Sequence, residues 1–263
     1  MRNLLRELLE GDKPGFGILV KSADPTVIEL IGGAGYDFVL FDLEHTPMGI
    51  ETVLGLVRVA MAQQLGVLVR TPGIQLEYIF RLLDMGAEGI LVPGVRSQED
   101  VEQVLTAARF PPMGDRGVAP STRAAEFGGH GKSTIKELTD ELNREQVVGV
   151  LIENKEALGA IDAIVAMKGL DFAFIGPIDL SSSLGLLGTK GGNPVVRNAI
   201  DRIINACERG GMPFGTIAND AAAALSTVEL RERNARLIVV GIDTSLLRVR
   251  LSDLMASIKA GEV

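Results

Sequence analysis

The chain is expected to fold as a closed α/β structure, a (β/α)8 TIM barrel, on three observations. Eight short apolar runs rich in Val, Ile, Leu and Phe recur along it. Amphipathic, helix-spaced segments alternate with them. The polar residues able to do chemistry stand just past the ends of the apolar runs. Continuous apolar runs, as opposed to alternating ones, suit strands buried on both faces, and alternating β and α elements demand a parallel sheet. The strand C-terminal ends of a closed barrel form one rim, where acids converge on a mouth able to hold a divalent metal.

The strands are expected at 15–21, 37–42, 66–70, 88–92, 147–153, 171–175, 213–217 and 236–240. The intervening helices are expected at 25–33, 50–65, 76–86, 97–108, 155–167, 195–210 and 220–234. Gly35, Gly86 and Gly169 follow helices where a left-handed cap is needed before the next strand. Eight such repeats favour closure over an open sheet, and no Gly-x-Gly-x-x-Gly follows the first strand, which argues against a dinucleotide fold. The 263 residues match the roughly 250 that an α/β barrel requires, and no composition shift marks a boundary, so residues 1–263 read as one barrel domain. The segment 110–144 breaks the rhythm with Pro111, Pro112, Gly114, Gly117, Pro120, Gly128, Gly129 and Gly131. A βα insertion of that length is usually functional or mobile. A final apolar helix, 246–258, either completes the barrel or packs on a neighbouring subunit.

Composition excludes several classes. A net charge of −8 without a basic stripe argues against a nucleic-acid partner. No apolar run approaches the roughly 20 residues of a membrane span. The N-terminal Leu4, Leu5, Leu8 and Leu9 are interrupted by charge, which makes an amphipathic helix and not a signal peptide. The single cysteine, Cys207, permits no internal disulfide, points to a reducing cytoplasm and is expected to pack within its helix. Only 4% of residues are aromatic and Trp is absent, so aliphatic side chains are expected to fill the core.

Two acids lead the candidate chemistry. Glu153 closes the run Val-Val-Gly-Val-Leu-Ile-Glu (147–153), and Asp179 stands in the turn Gly-Pro-Ile-Asp (176–179) after the next strand. Two carboxylates past adjacent strands leave coordination positions open, as suits Mg2+ or Mn2+ shared with substrate and water. The competing reading is a helix cap or rim salt bridge. In Phe-Asp-Leu-Glu-His-Thr-Pro (41–47), Asp42 ends a strand and is expected to orient His45 as a general base, with Glu44 as a rival partner. His130, the only other histidine, lies in the Gly-rich insertion. Arg70 ends a buried strand and must find an anion: a developing enolate, or a structural partner in Asp42 or Asp84. Lys21, ending the first strand, reads as a lysine reaching solvent, with a Schiff-base nucleophile as the alternative. Asp84 ends a helix, where an acid is unfavourable against the dipole, so service to a neighbouring site or subunit is expected. Arg116 and Arg123 either bind an anionic substrate tail or pin the insertion.

Six stretches, in order, resemble the HpcH/HpaI family of class II, metal-dependent pyruvate aldolases: 41–47, Val-Arg-Thr-Pro (69–72), Leu-Leu-Asp-Met-Gly-Ala (82–87), Pro-Pro-Met-Gly-Asp-Arg-Gly (111–117), Ile-Glu-Asn-Lys-Glu-Ala (152–157) and Phe-Ile-Gly-Pro-Ile-Asp-Leu (174–180). The resemblance implies a (β/α)8 barrel whose last helix is exchanged between subunits, in a homohexamer built as a trimer of dimers. It implies that Glu153 and Asp179 hold Mg2+, Mn2+ or Co2+, that Arg70 steadies the enolate, that the His45–Asp42 pair handles protons, and that Asp84 reaches a neighbouring subunit's site. The chain departs from the family at Leu151, where Gln is frequent, and at Lys21, where a small or neutral residue is usual. The resulting expectation is a cytoplasmic carbon–carbon lyase of aromatic- or sugar-acid catabolism. It would cleave a 4-hydroxy-2-oxo acid to pyruvate and an aldehyde, with Gly176, Pro177, Ile178, Leu151, Arg123 and Arg70 against substrate. The alternatives are a Schiff-base lyase through Lys21 and a non-catalytic barrel scaffold.

Overall fold

A computed structural model describes residues 3–129, 131–187, 192–222 and 224–261; His130 lies outside the described residues. The elements run α1 (Leu4–Glu10), β1 (Gly15–Val20), α2 (Pro25–Gly33), β2 (Phe38–Asp42), α3 (Ile50–Ala62), β3 (Gly66–Arg70), α4 (Leu76–Asp84), β4 (Gly89–Val92), α5 (Gln98–Ala108), a 3-10 turn (Arg123–Gly128) and α6 (Ile135–Glu145). There follow β5 (Val147–Ile152), α7 (Lys155–Gly159), α8 (Ile161–Val165), β6 (Phe172–Ile175), α9 (Pro177–Ser183), α10 (Pro194–Gly210), β7 (Phe214–Ile217), α11 (Thr227–Glu232), β8 (Leu237–Ile242) and α12 (Asp243–Ala260). The eight strands pair in parallel and in chain order, and β8 pairs back onto β1, closing the barrel. All eight expected strands are present.

The period-2 alternation of a strand divides each one between two cores. One face packs outward under the helices: Val39 and Phe41 on β2, Val67 and Val69 on β3, Val150 and Ile152 on β5. The other fills the lumen: Leu19, Phe38 and Leu40, Leu68, Leu91, Leu151, Phe172, Phe174, Leu237 and Val239. Aliphatic residues do not fill this lumen alone. A Cβ on Gly17 would lie 2.5 Å from the Phe38 ring, one on Gly149 2.1 Å from Phe172, and one on Gly215 2.8 Å from Phe174. Each lumenal phenylalanine thus occupies space that a neighbouring strand's glycine vacates, which is how so few aromatics close a tapering barrel. Carried to the strand ends and one residue past them, the same alternation (17, 19, 21; 38, 40, 42; 66, 68, 70; 149, 151, 153) aims Lys21, Asp42, Arg70 and Glu153 into the mouth.

The opposite end is plugged by α1. Asn3 caps it by accepting from the Arg6 N–H, Leu5 and Leu9 enter the lumen, and the Leu5 N–H donates to Glu88 Oε2 at 3.1 Å. Among the described residues no helix is long and apolar enough to cross a membrane.

Two helical expectations are corrected, and the insertion holds a helix the spacing does not show. The segment 155–167 splits into α7 and α8 at Ala160, and the helix expected at 220–234 contracts to α11. The insertion holds a full helix, α6, started by a capping box between Thr134 and Glu137. Two buried arginines pin it. Arg109 pairs with Asp171 and donates to the carbonyls of Asn143 (2.9 Å) and Gln146 (2.7 Å). Arg116 pairs with Asp84 at 2.5 Å, donates to Gln146 Oε1 at 2.6 Å and stacks on Phe110. Of the two readings of the last helix, completion of the barrel is not met: α12 buries none of its residues and leaves Leu246, Leu247, Val249, Leu251, Leu254, Met255 and Ile258 exposed.

Candidate active site

The mouth is built from the last residues of the strands and the first residues beyond them. Asp42 is fully buried and central to one side of it. Its Oδ1 accepts from Arg70 Nε at 2.9 Å and from the backbone N–H groups of Glu44 (3.0 Å) and His45 (3.2 Å). Its Oδ2 lies 2.8 Å from Arg70 Nη2 and 3.5 Å from Lys21 Nζ. This meeting follows from register, since Asp42 and Arg70 are direct partners across β2 and β3. Burial opposes ionisation of Asp42, but the hydrogen bond and charge of Arg70, with the two N–H donors, outweigh it and hold the carboxyl below its usual range.

Arg70 is shared. Its Nη1 lies 3.1 Å from Glu44 Oε2, so one guanidinium bridges two carboxylates. Glu44 in turn lies 3.7 Å from His45 Nε2. This corrects the expected pair: Asp42 holds the loop at His45 through the backbone N–H, and the imidazole faces Glu44. Burial foremost raises the Glu44 pKa, against the attraction of Arg70 and His45 and with the repulsion of Asp42 and Asp179.

On the far side Glu153 follows β5 and is nearly buried. Its Oε1 accepts from the Gly94 N–H at 2.7 Å, a backbone donor that no side-chain pattern announces. Burial pushes its pKa up to about 7. The Gly94 bond and Arg70 work against the rise, and the charges of Glu44 and Asp179 add to it. Gly176, on the lumenal column of the adjacent strand, leaves room for this side chain: a Cβ there would lie 3.0 Å from Glu153 Cβ and 3.5 Å from Leu151 Cδ1. Leu151 is buried in the lumen beneath and makes an apolar floor. Asp179 is not in a turn and caps nothing. It is the third residue of α9, after Gly176 as N-cap and Pro177 at the first helical position, and its side chain is exposed. Ile178 is exposed beside it.

Two expected site residues lie elsewhere. Asp84, engaged by Arg116, and Arg123 line a cavity of about 400 Å3 bounded by α3, α4 and the 3-10 turn, with Leu54, Arg58 and Phe127. Arg116 pins the insertion and offers nothing to a substrate. Cys207 is buried in α10 and its thiol is pushed up to about 12, first by burial, so it is inert as a nucleophile.

A closed parallel barrel whose mouth gathers an arginine, a lysine, a histidine and several carboxylates is the architecture of a (β/α)8 enzyme. The comparisons sharpen that class. The family model described as HpcH/HpaI aldolase/citrate lyase matches residues 16–249, and the chain belongs to that family. A hydroxypyruvate/pyruvate aldolase of Pseudomonas aeruginosa is 33% identical over 98% of this chain and 94% of its own. A 4-hydroxy-2-oxo-heptane-1,7-dioate aldolase of Salmonella arizonae is 33% identical over 94% and 91%. The crystal structure of an HpcH/HpaI aldolase from Desulfitobacterium hafniense superposes with a TM-score of 0.87 at 29% identity, covering 98% of this chain and 97% of that one. The expected carbon–carbon lyase on a (β/α)8 barrel is met.

Proposed function

We propose that this chain is a divalent-metal aldolase that cleaves a 4-hydroxy-2-oxo acid to pyruvate and an aldehyde, and that it runs the addition in reverse. The observation that carries the reading is the acid set of the mouth: Glu153, held near pKa 7 by burial and by the charges of Glu44 and Asp179, beside Arg70. Carboxylates crowded at mutual cost are what a bound cation relieves. Among the described residues no three acids, histidines or cysteines close on one point. Two carboxylates leave coordination positions for substrate and water, which suits an oxygen-preferring Mg2+ or Mn2+ (or Co2+). Glu153 and Asp179 would hold the ion. When bound, it supplies Lewis-acid stabilisation of the negative charge that bond cleavage leaves.

The chain's own residues do the rest. The backbone N–H groups of Ile178 and Asp179, in the first turn of α9, receive the substrate carboxylate beside Gly176 and Pro177, with Leu151 as the floor. His45, with Glu44 as its partner, takes the C4 hydroxyl proton through water. The C3–C4 bond then breaks, C4 leaves as the aldehyde carbonyl, and its electron pair remains on C2–C3 as the pyruvate enolate. Arg70 stabilises that enolate with N–H groups left over from Asp42 and Glu44, and protonation at C3 gives pyruvate. Lys21 does not support the Schiff-base alternative, since its ammonium is ion-paired with Asp42 and not desolvated in an apolar pocket. With Mn2+ and pyruvate alone in D2O, the pyruvate methyl group should exchange its protons, and borohydride should trap no adduct. A trapped lysine would overturn the reading.

The bare face of α12 supports a homo-oligomer, with the helix exchanged between copies in a hexamer and Asp84 with Arg123 turned toward a neighbour's mouth. Light scattering on dilute, active enzyme should find an assembly that loses activity on dissociation. A fully active monomer would remove the shared site.

A further inference from the structure

We propose that Lys21 is a specificity-determining residue whose ammonium receives a carboxylate on the aldehyde half of the substrate, an inference that rests on the aldolase reading above. Three observations carry it. The first is position. In a closed eight-strand barrel in chain order, β1 and β5 are four places apart and face each other across the lumen. Lys21 is the first residue beyond β1 and Glu153 the first beyond β5, and both continue the lumenal column of their strand. A 4-hydroxy-2-oxo acid gripped by its oxo-acid end at the Glu153 and Asp179 wall therefore extends C4 and everything beyond it toward Lys21.

The second is charge. Asp42 is one anion facing two cations, and Arg70 takes the better share of it, with Nε 2.9 Å from Oδ1 and Nη2 2.8 Å from Oδ2. Lys21 Nζ stands off at 3.5 Å with a side chain 28% exposed, so the ammonium keeps donors for a second oxygen ligand. The third is anchoring. The N–H groups of Lys21 and Ser22 donate to the two oxygens of Asp243 at 3.0 and 2.9 Å, which fixes the backbone from which the side chain extends into the mouth. A cation positioned in this way, opposite the acid wall, selects an aldehyde ending in an anion over one ending in a methyl group.

The test is aldol addition with pyruvate and Mn2+, comparing 4-oxobutanoate with pentanal, which match in length. The parent should favour 4-oxobutanoate in kcat/KM by about tenfold or more, the scale of a hydrogen bond to a charged group. Lys21→Gln should collapse that ratio, mainly through KM for 4-oxobutanoate, while Lys21→Arg should retain it. Equal losses on both aldehydes with the ratio unchanged would make Lys21 only a structural partner of Asp42 and overturn the proposal, as would a parent without preference. Proton exchange into pyruvate separates the two levels. With exchange present and the ratio flat, the specificity proposal alone fails. With no exchange and no addition, the aldolase reading fails and takes the proposal with it.

Discussion

Replacing Glu153 by glutamine should abolish Mn2+ binding and lower turnover by about a hundred- to a thousandfold, the scale of losing one preorganised electrostatic partner of the transition state. The fold should survive, because the amide oxygen still accepts from the Gly94 N–H. The pH dependence gives this variant a signature that a merely structural acid would lack. Glu153 titrates near pH 7 in the folded chain, against an ordinary value of 4.5. Between those values the folded state binds a proton that the unfolded state does not, so without metal the contribution of this group to stability falls as pH rises from 4.5 through about 7 and then levels off. Ligation requires the carboxylate, so Mn2+ binding in that window should release a proton and tighten with pH up to about 7. Isothermal titration at several pH values reads both effects, and Glu153→Gln should erase them. Without metal at pH 8 the variant should be at least as stable as the parent. Asp179→Ala should also lose Mn2+ affinity. Unchanged affinity in both variants would reduce these acids to structural residues of the rim.

Arg70→Lys should lower kcat by about a hundredfold, while thermal unfolding moves far less. Arg70 bridges Asp42 and Glu44 through three nitrogens. A lysine keeps the charge but has one nitrogen, so it can hold the buried Asp42 only by abandoning Glu44 and the mouth. The loss should therefore appear in kcat more than in KM. Steady-state kinetics beside a melting curve decide the matter. A variant that turns over like its parent would make Arg70 a structural ion-pair residue, the alternative its position at a strand end always carried.

The barrel was legible because its signals are local. Runs such as Val-Val-Gly-Val-Leu-Ile (147–152) have no polar face to offer solvent, and a parallel sheet with helices on its outer side is the arrangement that hides them. Glu153, Asp42 and Arg70 were legible for the same reason, since the first polar residue after such a run stands on the rim. Partnerships were harder to read. Asp-Leu-Glu-His suggests a carboxylate three residues from an imidazole, yet Asp42 spends its oxygens on backbone N–H groups and Arg70, and Glu44 faces the ring. That outcome depends on the β2–β3 register, which spacing along one strand does not contain. The Gly94 donor to Glu153 and the Asp243 clamp on Lys21 join residues 59 and 222 positions apart. The helix α6 hid inside a Pro- and Gly-rich insertion, although Thr134 and Glu137 form a readable capping box. The pairing of lumenal phenylalanines with glycines on neighbouring strands is likewise a fact of register and not of composition.

The central claim, that this mouth cleaves 4-hydroxy-2-oxo acids with a divalent ion held by its acids, is tested most directly by retro-aldol assay. A panel of these acids should be presented to the enzyme with Mn2+, with EDTA, and with Mn2+ restored. The account predicts pyruvate and aldehyde in equal amounts from at least one acid, silence in EDTA and recovery on Mn2+ addition. Cleavage that continues undiminished in EDTA would contradict it.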